Sequence, residues 1–298
     1  MANNSKIYFY LGKGGVGKST LSAAEALRFS RRFKTLLVSL DPAHNQSDIF
    51  EGDFGEKPVS VRENLYVMEI DGDLWIKRYI DTVQNKIKDN YRYLSAVNLD
   101  KKFDVLKYSP GLEEYALMLA FETIIAKYDA FDLLIFDMPP TALSLRFFAL
   151  PKLSLVWIES LLSLRKEIIE KRQIITKIKF GKKTVERDKV LNRLEEISKQ
   201  YRHIGEIFGN KEDVKINIVL NNDRLSLKES QRIFNGLKKL DIQIASLLLN
   251  RVKEDNSPRW DLSALFNNLS VSLYPEVKFS LIGLKALEKF VALTQAKS

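Results

Sequence analysis

A glycine-rich stretch near the start of the chain, GKGGVGKST at residues 12–20, constrains the fold more than any other feature. It directly follows an apolar run at residues 7–11 and directly precedes a helical pattern. The spacing G-x-x-x-x-G-K-[ST], in the order strand, glycine turn and helix, is that of a phosphate-binding loop. Its glycines let successive backbone N–H groups converge on phosphate oxygens, and the helix adds the positive end of its dipole. We therefore predict that phosphate is bound by Gly12, Gly14, Gly15, Val16, Gly17, Lys18, Ser19 and Thr20.

Three side chains of this loop have a predicted chemical role. Lys18 is placed to reach the β- and γ-phosphates of a nucleotide, and Ser19 is placed to hold Mg²⁺ through its hydroxyl. Lys13 lies beside the glycine cluster, where an extended ammonium does not easily fold back onto a nucleotide bound by its own loop. This lysine either serves the nucleotide of a neighbouring molecule or is simply solvated.

Two other predicted strands end in an aspartate. Asp41 follows the apolar run at residues 34–40 within the segment LDPAHNQSD, and Asp137 ends the run DLLIFD at residues 132–137. Open α/β sheets bind ligands at the carboxyl ends of their strands. Asp41 is therefore a candidate to orient or deprotonate an attacking water, and Asp137 a candidate to act on Mg²⁺ through a bound water. For each aspartate, a purely structural turn near a proline is the alternative.

The chain as a whole alternates apolar strand patterns with helical patterns. Strands are predicted at residues 6–11, 34–40, 65–70, 101–108, 132–137, 214–220, 242–251 and 269–274. The alternation is typical of a mostly parallel, twisted sheet that is flanked by helices and built with right-handed crossovers. We expect one α/β P-loop NTPase domain over residues 1–298, with a helical subdomain inserted from about 72–128 and 152–208.

Composition excludes several other classes of protein. The 298 residues include no cysteine, which excludes disulfides, thiolate zinc sites and cysteine nucleophiles, and the two histidines, His44 and His203, are far apart in sequence. The net charge of +9 favours acidic partners in general but does not by itself indicate nucleic acid. The first strand begins too early for a signal peptide, and no uninterrupted apolar run approaches the roughly 18–20 residues of a membrane span. We expect a cytoplasmic protein, with peripheral membrane contact as an option.

Three helical patterns carry an apolar face that can either pack as core or stay open as a groove, at residues 74–94, 112–128 and 152–180. Methionine, the adaptable residue of many grooves, occurs only four times in the chain, which leaves the two interpretations balanced. The mainly basic residues 165–189 and the terminal helix at 281–293 are alternative membrane-facing segments. A solvated face and packing on the sheet are their respective simpler explanations.

Four segments together resemble one family: GKGGVGKST, LDPAHNQSD, FDMPPTALSLRFFALP and LYPEVKFSLIGLKALEKF. They are similar to the arsenite-pump ATPases and to their relatives, the targeting factors that carry tail-anchored membrane proteins, over residues 6–290. DPAH followed by Ser-Asp separates this family from the cell-division-site and plasmid-partition ATPases, which share the lysine-bearing loop. The resemblance implies an ATPase whose cofactors are ATP and Mg²⁺ and whose working form is a homodimer.

Individual residues take their implied roles from this resemblance. Lys13 would act in trans on the partner's nucleotide, Asp41 would position the hydrolytic water, and Asp137 would be the Mg²⁺-linked switch residue. Asn250 matches the asparagine that contacts adenine. The loop that closes over the base is matched by Pro275, Glu276 and Val277.

The chain departs from the family in three places. Relatives with a zinc clasp carry Cys-x-x-Cys soon after the position of Asn250, whereas residues 254–260 read EDNSPRW, so we expect a dimer that closes without zinc. Arsenic(III) is bound through thiolates, and this chain has none. The switch segment at residues 139–143 reads PPTAL where the family commonly has APTGH, which leaves the relay of the γ-phosphate open.

The sequence therefore predicts a nucleotide-switched, Mg²⁺-dependent ATPase that binds hydrophobic clients, such as a transmembrane segment, for delivery to a membrane receptor. An ATP-driven subunit of a membrane transporter and a nucleotide-switched scaffold at the membrane surface are the alternatives. Nucleic acid and zinc are not expected as partners.

Overall fold

The computed structural model describes residues 5–43, 45–90, 109, 111–180, 188–253 and 259–295. The strand predicted at residues 101–108, His44 and residues 254–258 lie outside the described residues. The described strands are β1 (Lys6–Gly12), β2 (Thr35–Ser39), β3 (Val59–Arg62), β4 (Leu65–Glu69), β5 (Leu133–Asp137), β6 (Val214–Asn221), β7 (Ser246–Val252) and β8 (Ser270–Pro275). The described helices are α1 (Lys18–Phe29), α2 (Asn45–Phe50), α3 (Gly72–Asn90), α4 (Leu112–Lys127), α5 (Thr141–Phe180), α6 (Lys189–Gly209), α7 (Arg224–Lys239), α8 (Leu262–Leu265) and α9 (Leu284–Gln295).

The described strands form one sheet in the order β3-β4-β2-β5-β1-β6-β7-β8. Neighbouring strands pair in parallel, except that β3 is antiparallel to β4. Parallel strands need long crossover connections, and here helices such as α1, α4 and α7 supply them. The architecture confirms the predicted α/β class, a mostly parallel sheet flanked by helices.

The central strands are buried on both faces. Every residue of β2 and of β5 is buried, which explains why both read as nearly continuous apolar runs rather than as alternating patterns. On one face, alternate strand residues such as Leu37 and Ile135 pack in a cluster that includes Leu27 of α1 and the α9 residues Leu287 and Phe290. Helices α1 and α9 therefore cover this face of the sheet.

The opposite face of the sheet holds a cluster of four phenylalanines. The rings of Phe9 and Phe136, from adjacent strands, stack with centroids 5.3 Å apart. Phe121 of α4 contacts the Phe136 ring edge-on at 5.2 Å and the ring of Phe147 at 5.7 Å. All four side chains have no solvent-exposed area. Because offset and edge-to-face ring pairs add to the free energy of burying apolar area, this cluster anchors α4 to the sheet.

The chain divides into two compact units. The larger unit comprises Met1–Phe147 and Lys211–Ser298, and the smaller unit comprises Phe148–Asn210. Within the smaller unit, the rings of Phe148 and Phe208 meet at 4.9 Å. Arg202 also pairs with Glu159 at 2.9 Å, and Arg165 pairs with Asp188 at 2.7 Å. These contacts hold α6 against the part of α5 that belongs to this unit.

Helix α5 differs from the sequence prediction in its length. A helix is expected from about residue 152, whereas α5 begins at Thr141, directly after Pro139 and Pro140, and continues through Pro151 to Phe180. Residues 141–174 also form a helix long and apolar enough to cross a membrane by length and composition, with 33% of the most apolar window buried. The apolar residues of α5 do not form an uninterrupted run, because Arg146, Lys152 and Glu159 lie among them, as the sequence analysis expects. The helix nevertheless meets a criterion based on its mean hydropathy.

Two short elements are not predicted from the sequence. Strand β3 has four residues, none of them buried, so it carries no apolar signal. Helix α2 has only six residues with the sequence NQSDIF, too few for a helical period to show. Both are held by long-range contacts, β3 by its pairing with β4 and α2 by side chains described below.

The aromatic cluster generates a stability prediction. We expect Phe121→Ala to lower the free energy of unfolding by about 3–5 kcal/mol, because it removes a fully buried ring and leaves a cavity among three others. Leu225→Ala in α7 is the matched control, since that side chain is 66% exposed and its loss is expected to change stability by less than about 0.5 kcal/mol. Urea unfolding followed by circular dichroism measures both variants, and equal effects would contradict the packing described here.

Candidate functional site

The strand order gathers the predicted site residues at one edge of the sheet. β5 lies between β2 and β1, and its last residue, Asp137, is in register with Ser39 of β2 and Tyr10 of β1. Because these strands are parallel, the loops after all three emerge side by side. The phosphate-binding loop, Asp41 and Asp137 are therefore brought together by the topology.

The backbone of the glycine loop is fixed by close approaches that only glycine permits. A Cβ atom at Gly12 would overlap the backbone carbonyl oxygen of Val219 in β6. Gly17, which precedes α1, has φ of +92°, and a Cβ there would overlap the side-chain amide of Asn250. Between them, Val16 is buried. The loop thus enters α1 with its backbone held close to β6 at Gly12 and to Asn250 at Gly17.

Lys18 and Asp41 form a buried ion pair at this edge. Their Nζ and Oδ2 atoms are 3.9 Å apart, and the two residues are only 5% and 8% exposed. The second carboxylate oxygen of Asp41 accepts a hydrogen bond from the backbone N–H of Ala43 at 3.2 Å, which shapes the turn after β2. The loop lysine is therefore held close to the carboxylate proposed to act on water.

Asp137 is the most deeply buried of the acidic residues at the site, with no exposed area. Burial raises the pKa of its carboxyl to about 6, an effect that Asp41 adds to and that the Ser19 hydroxyl, Lys18 and Gln46 partly offset. One carboxylate oxygen, Oδ2, accepts a hydrogen bond from Gln46 Nε2 at 3.1 Å. The other, Oδ1, has no hydrogen-bond partner among the described residues. A buried carboxylate oxygen without a donor marks an incomplete site.

The residues present fit a magnesium ion. Mg²⁺ prefers hard oxygen ligands and keeps several of its waters, so it binds proteins through a few hydroxyl or carboxylate groups together with phosphate oxygens. Ser19 offers a hydroxyl that helps to hold down the pKa of the Asp137 carboxyl, and Asp137 offers Oδ1, which has no hydrogen-bond partner among the described residues. A cation here would also compensate the buried negative charge of Asp137.

Two residues of this network were missed by sequence reasoning. Gln46 of α2 is fully buried, and its Nε2 donates to Asp137, to the Ser19 carbonyl oxygen at 3.3 Å and to Ser22 Oγ at 3.4 Å. Glu69, the last residue of β4, accepts the backbone N–H groups of Gln46 and Ser47 at 2.7 and 3.1 Å. A signal for Glu69 existed, because it is a carboxylate at the end of an otherwise apolar strand. The sequence alone gave no such signal for Gln46.

Asn250 lies at the end of β7, against the glycine loop. Its Nδ2 donates to the Val16 carbonyl oxygen at 2.8 Å, and its Oδ1 accepts the backbone N–H of Arg251 at 2.9 Å. The side-chain amide thus connects the phosphate-binding loop to the strand end at which the adenine contact is predicted. Contact with a base would be an additional role for this residue.

The predicted base-closing loop follows β8, the neighbour of β7. Pro275 is in register with Val252, and the N–H of Glu276 donates to the Val252 carbonyl oxygen at 2.9 Å. Val277 packs on the core cluster under α1 and α9. The adjacent Tyr274 donates its phenol proton to Glu25 Oε1 of α1 at 2.9 Å, and burial raises the pKa of that phenol. The loop is therefore tied both to β7 and to the helix that follows the glycine loop.

Lys13 differs from the other loop residues. It is partly exposed, and it has no ion-pair partner within the described part of the chain. Gly14 and Gly15 beside it are exposed. The structure therefore places Lys13 at the surface of the loop, where no acidic residue of the described part of the chain forms an ion pair with it.

The raised pKa of Asp137 generates a pH prediction. A buried carboxyl whose folded pKa lies above its unfolded value stabilises the fold at low pH, and this contribution is lost as the pH rises through about 6. We expect Asp137→Asn to stabilise the protein at pH 8 by up to about 3 kcal/mol relative to the parent, and by much less at pH 4. Chemical unfolding in EDTA without nucleotide measures this difference.

The control for this prediction is Asp129→Asn, in an exposed turn. It should change stability by less than about 0.5 kcal/mol at either pH. An Asp137→Asn protein that is less stable than the parent at pH 8 would show that the buried carboxylate is well compensated, contrary to the environment described here.

Comparison with known proteins agrees with the family resemblance of the sequence motifs. The family model described as "Anion-transporting ATPase" matches residues 5–293. A protein named "Putative arsenical pump-driving ATPase 2" from Aquifex aeolicus is 30% identical over an alignment covering 84% of this chain and 81% of its own length. An "ATPase ASNA1 homolog" from Entamoeba histolytica is 31% identical, covering 83% and 76%, and "ATPase GET3C" from Arabidopsis thaliana is 28% identical, covering 84% and 68%. With a phosphate-binding loop, two strand-end aspartates and a family match over nearly its whole length, the chain belongs to the arsenical pump-driving ATPase family and is an ATP hydrolase.

Proposed function

We propose that this ATPase works as a homodimer, switched by ATP and Mg²⁺, that binds a hydrophobic transmembrane segment of a client protein and hands it to a membrane receptor. The observation that carries the proposal is an exposed apolar stripe on α5. The exposed apolar side chains between residues 153 and 174 are those of Leu153, Val156, Trp157, Leu161, Leu164, Ile168 and Ile174.

The stripe is not the face that α5 uses for packing within the smaller unit. Phe148 and Ile158 are buried there, whereas Trp157 is 73% exposed and Leu164 is 53% exposed. A contiguous exposed apolar surface of this kind, in a protein that is otherwise rich in charged residues, marks an interaction site. The stripe thus supports an open surface, rather than core, for this part of the proposed helical subdomain at residues 72–128 and 152–208.

The length of the stripe matches that of a transmembrane helix. Residues 153–174 of a helix span about 32 Å at 1.5 Å per residue. The hydrocarbon layer of a bilayer is about 30 Å thick, so a transmembrane helix laid along the stripe would be covered over its full length. Two of the relatives, the ASNA1 homologue and GET3C, are named as ATPases without mention of a pump.

The site supplies the nucleotide switch in this proposal. Lys18, now paired with Asp41, would be drawn to the β- and γ-phosphates, which would release the Asp41 carboxylate to orient the attacking water. Mg²⁺, held by Ser19 and by Asp137 through water, would neutralise charge on the phosphates. Asn250 and the loop formed by residues 275–277 would hold the adenine.

The surface position of Lys13 supports a homodimer. In this proposal, the side chain reaches across a two-fold interface to the phosphates of the partner's nucleotide, because its own chain offers it no counter-charge among the described residues. The dimer closes when ATP is bound and opens after hydrolysis, since the contact exists only while the phosphates are in place. No zinc is required for this closure.

A second candidate function is that of an ATP-driven subunit of an anion transporter, which the description of the family model favours. The absence of cysteine from the whole sequence makes a thiolate arsenic site impossible, so any transported anion would need another kind of site.

The client proposal is tested by capture of a protein with one C-terminal transmembrane segment. In an Asp41→Asn background, which we expect to hold ATP without hydrolysing it, co-expression should give a soluble complex that depends on that segment. Leu164→Glu should weaken capture by about tenfold or more, because it buries a charge in the apolar contact.

Gln173→Glu is the matched control, since it adds the same charge to an exposed position on the opposite side of α5. Capture should be retained, and neither substitution should alter ATP turnover in the parent background. Equal loss in both variants, or capture that persists when the transmembrane segment is deleted, would contradict the stripe as the client surface. A protein that binds ATP but captures nothing would favour the transporter subunit.

A further inference from the structure

A buried chain of polar contacts connects the segment after β2 to the segment after β5. Gln46 stands at its centre, only five residues beyond Asp41, and its side chain has no exposed area. A buried glutamine is costly unless its donors and acceptors are paired. Its position and its partners therefore call for a physical explanation.

The backbone around Gln46 is held in place by Glu69. Oε1 of that carboxylate accepts the N–H groups of Gln46 and Ser47, and Oε2 accepts the Ser47 hydroxyl at 2.6 Å. These three bonds fix the start of α2 to the end of β4. They involve no atom of the Gln46 side chain. They therefore orient this side chain and leave its amide group available for other hydrogen bonds.

The side chain of Gln46 uses its donor and leaves its acceptor unused. Nε2 faces the oxygens of Asp137, Ser19 and Ser22 at 3.1, 3.3 and 3.4 Å. Oε1 is buried and has no hydrogen-bond partner among the described residues, and the same is true of Asp137 Oδ1. Two neighbouring side chains that already share one hydrogen bond therefore each present an acceptor that lacks a donor.

We propose that Gln46 is a positioning residue for Mg²⁺, which orients the Asp137 carboxylate through its amide donor and completes the outer shell of the ion with its free oxygen. The inference rests on the assignment of Mg²⁺ to Ser19 and Asp137 in the proposed function. Water bound to Mg²⁺ is a strong hydrogen-bond donor, so it suits both unpartnered acceptors.

The test compares the contribution of Mg²⁺ to nucleotide affinity. The dissociation constant of ADP is measured by calorimetry in EDTA and in excess Mg²⁺, and the ratio of the two values is taken for each variant. Gln46→Met, which keeps the shape but has neither donor nor carbonyl acceptor, should reduce this ratio by about tenfold or more. The affinity in EDTA should change much less than this ratio, because the loop itself loses only the contact from Gln46 Nε2 to the Ser19 carbonyl oxygen.

Gln46→Glu separates a metal role from a packing role. It keeps an oxygen acceptor and adds a negative charge that Mg²⁺ would offset, but it loses the amide donor to Asp137. Its ratio should therefore be clearly larger than that of Gln46→Met, although both substitutions disturb the same buried position. A merely structural glutamine would give the same loss in both variants. Ser47→Ala is the matched control, since it loosens the anchor of α2 to Glu69 without touching the Gln46 side chain, and it should keep the parent's ratio.

Three results would overturn the proposal. The first is a parent-like ratio for Gln46→Met, and the second is an equal loss for the Met and Glu variants. The third is a parent protein whose ADP affinity does not depend on Mg²⁺. That result would contradict the metal site itself, and it is seen in the parent protein without any variant. Thermal unfolding in EDTA confirms that each variant is folded before its ratio is interpreted.

Discussion

The parallel pairing of β2, β5 and β1 is the constraint on which the rest of the structure depends. It forces three strand ends to emerge together, so that the glycine loop, Asp41 and Asp137 meet although they are separated by up to 125 positions in the chain. The apolar residues of these strands stabilise the sheet by burial on both faces. The polar residues at the ends of these strands therefore lie together at the same edge of the sheet, where they are buried.

Burying charge at that edge costs free energy, and we propose that this cost makes the site respond to ligands. Asp137 is buried, and its Oδ1 has no hydrogen-bond donor among the described residues. The Nζ atom of Lys18 lies 3.9 Å from Oδ2 of Asp41. In the proposed function, phosphate would be a better partner for Lys18, and Mg²⁺ for Asp137, than the protein's own groups are. The contacts that would change on binding lie after β2 and at the end of β5, and Gln46 joins these two places directly. At the other side of the glycine loop, Asn250 connects the loop to the end of β7, where we propose that adenine is held.

Much of the fold and part of the site could be predicted from the sequence, because they depend on local patterns. The spacing of the glycine loop and the continuous apolar runs of β2 and β5 indicated the α/β class and the strand-end aspartates. Gln46 could not be found in this way, since its importance depends on how α2 is anchored by Glu69, a residue 23 positions away. Helical periodicity likewise could not decide whether Trp157 and its neighbours face core or solvent, because both arrangements give the same spacing. The four-residue β3 left no pattern to detect.

The central claim is that the catalytic site is completed across a two-fold interface, and mixed dimers test it most directly. Lys13→Ala and Asp41→Asn should each abolish ATP turnover when expressed alone. In a dimer with one protomer of each kind, the Lys13→Ala protomer keeps its own Asp41 and receives the partner's lysine, so one site is complete. Co-expression with random assortment should therefore restore roughly a quarter of the parent activity. If Lys13 acts on its own nucleotide, no mixed site is complete, and an inactive mixture would contradict the account.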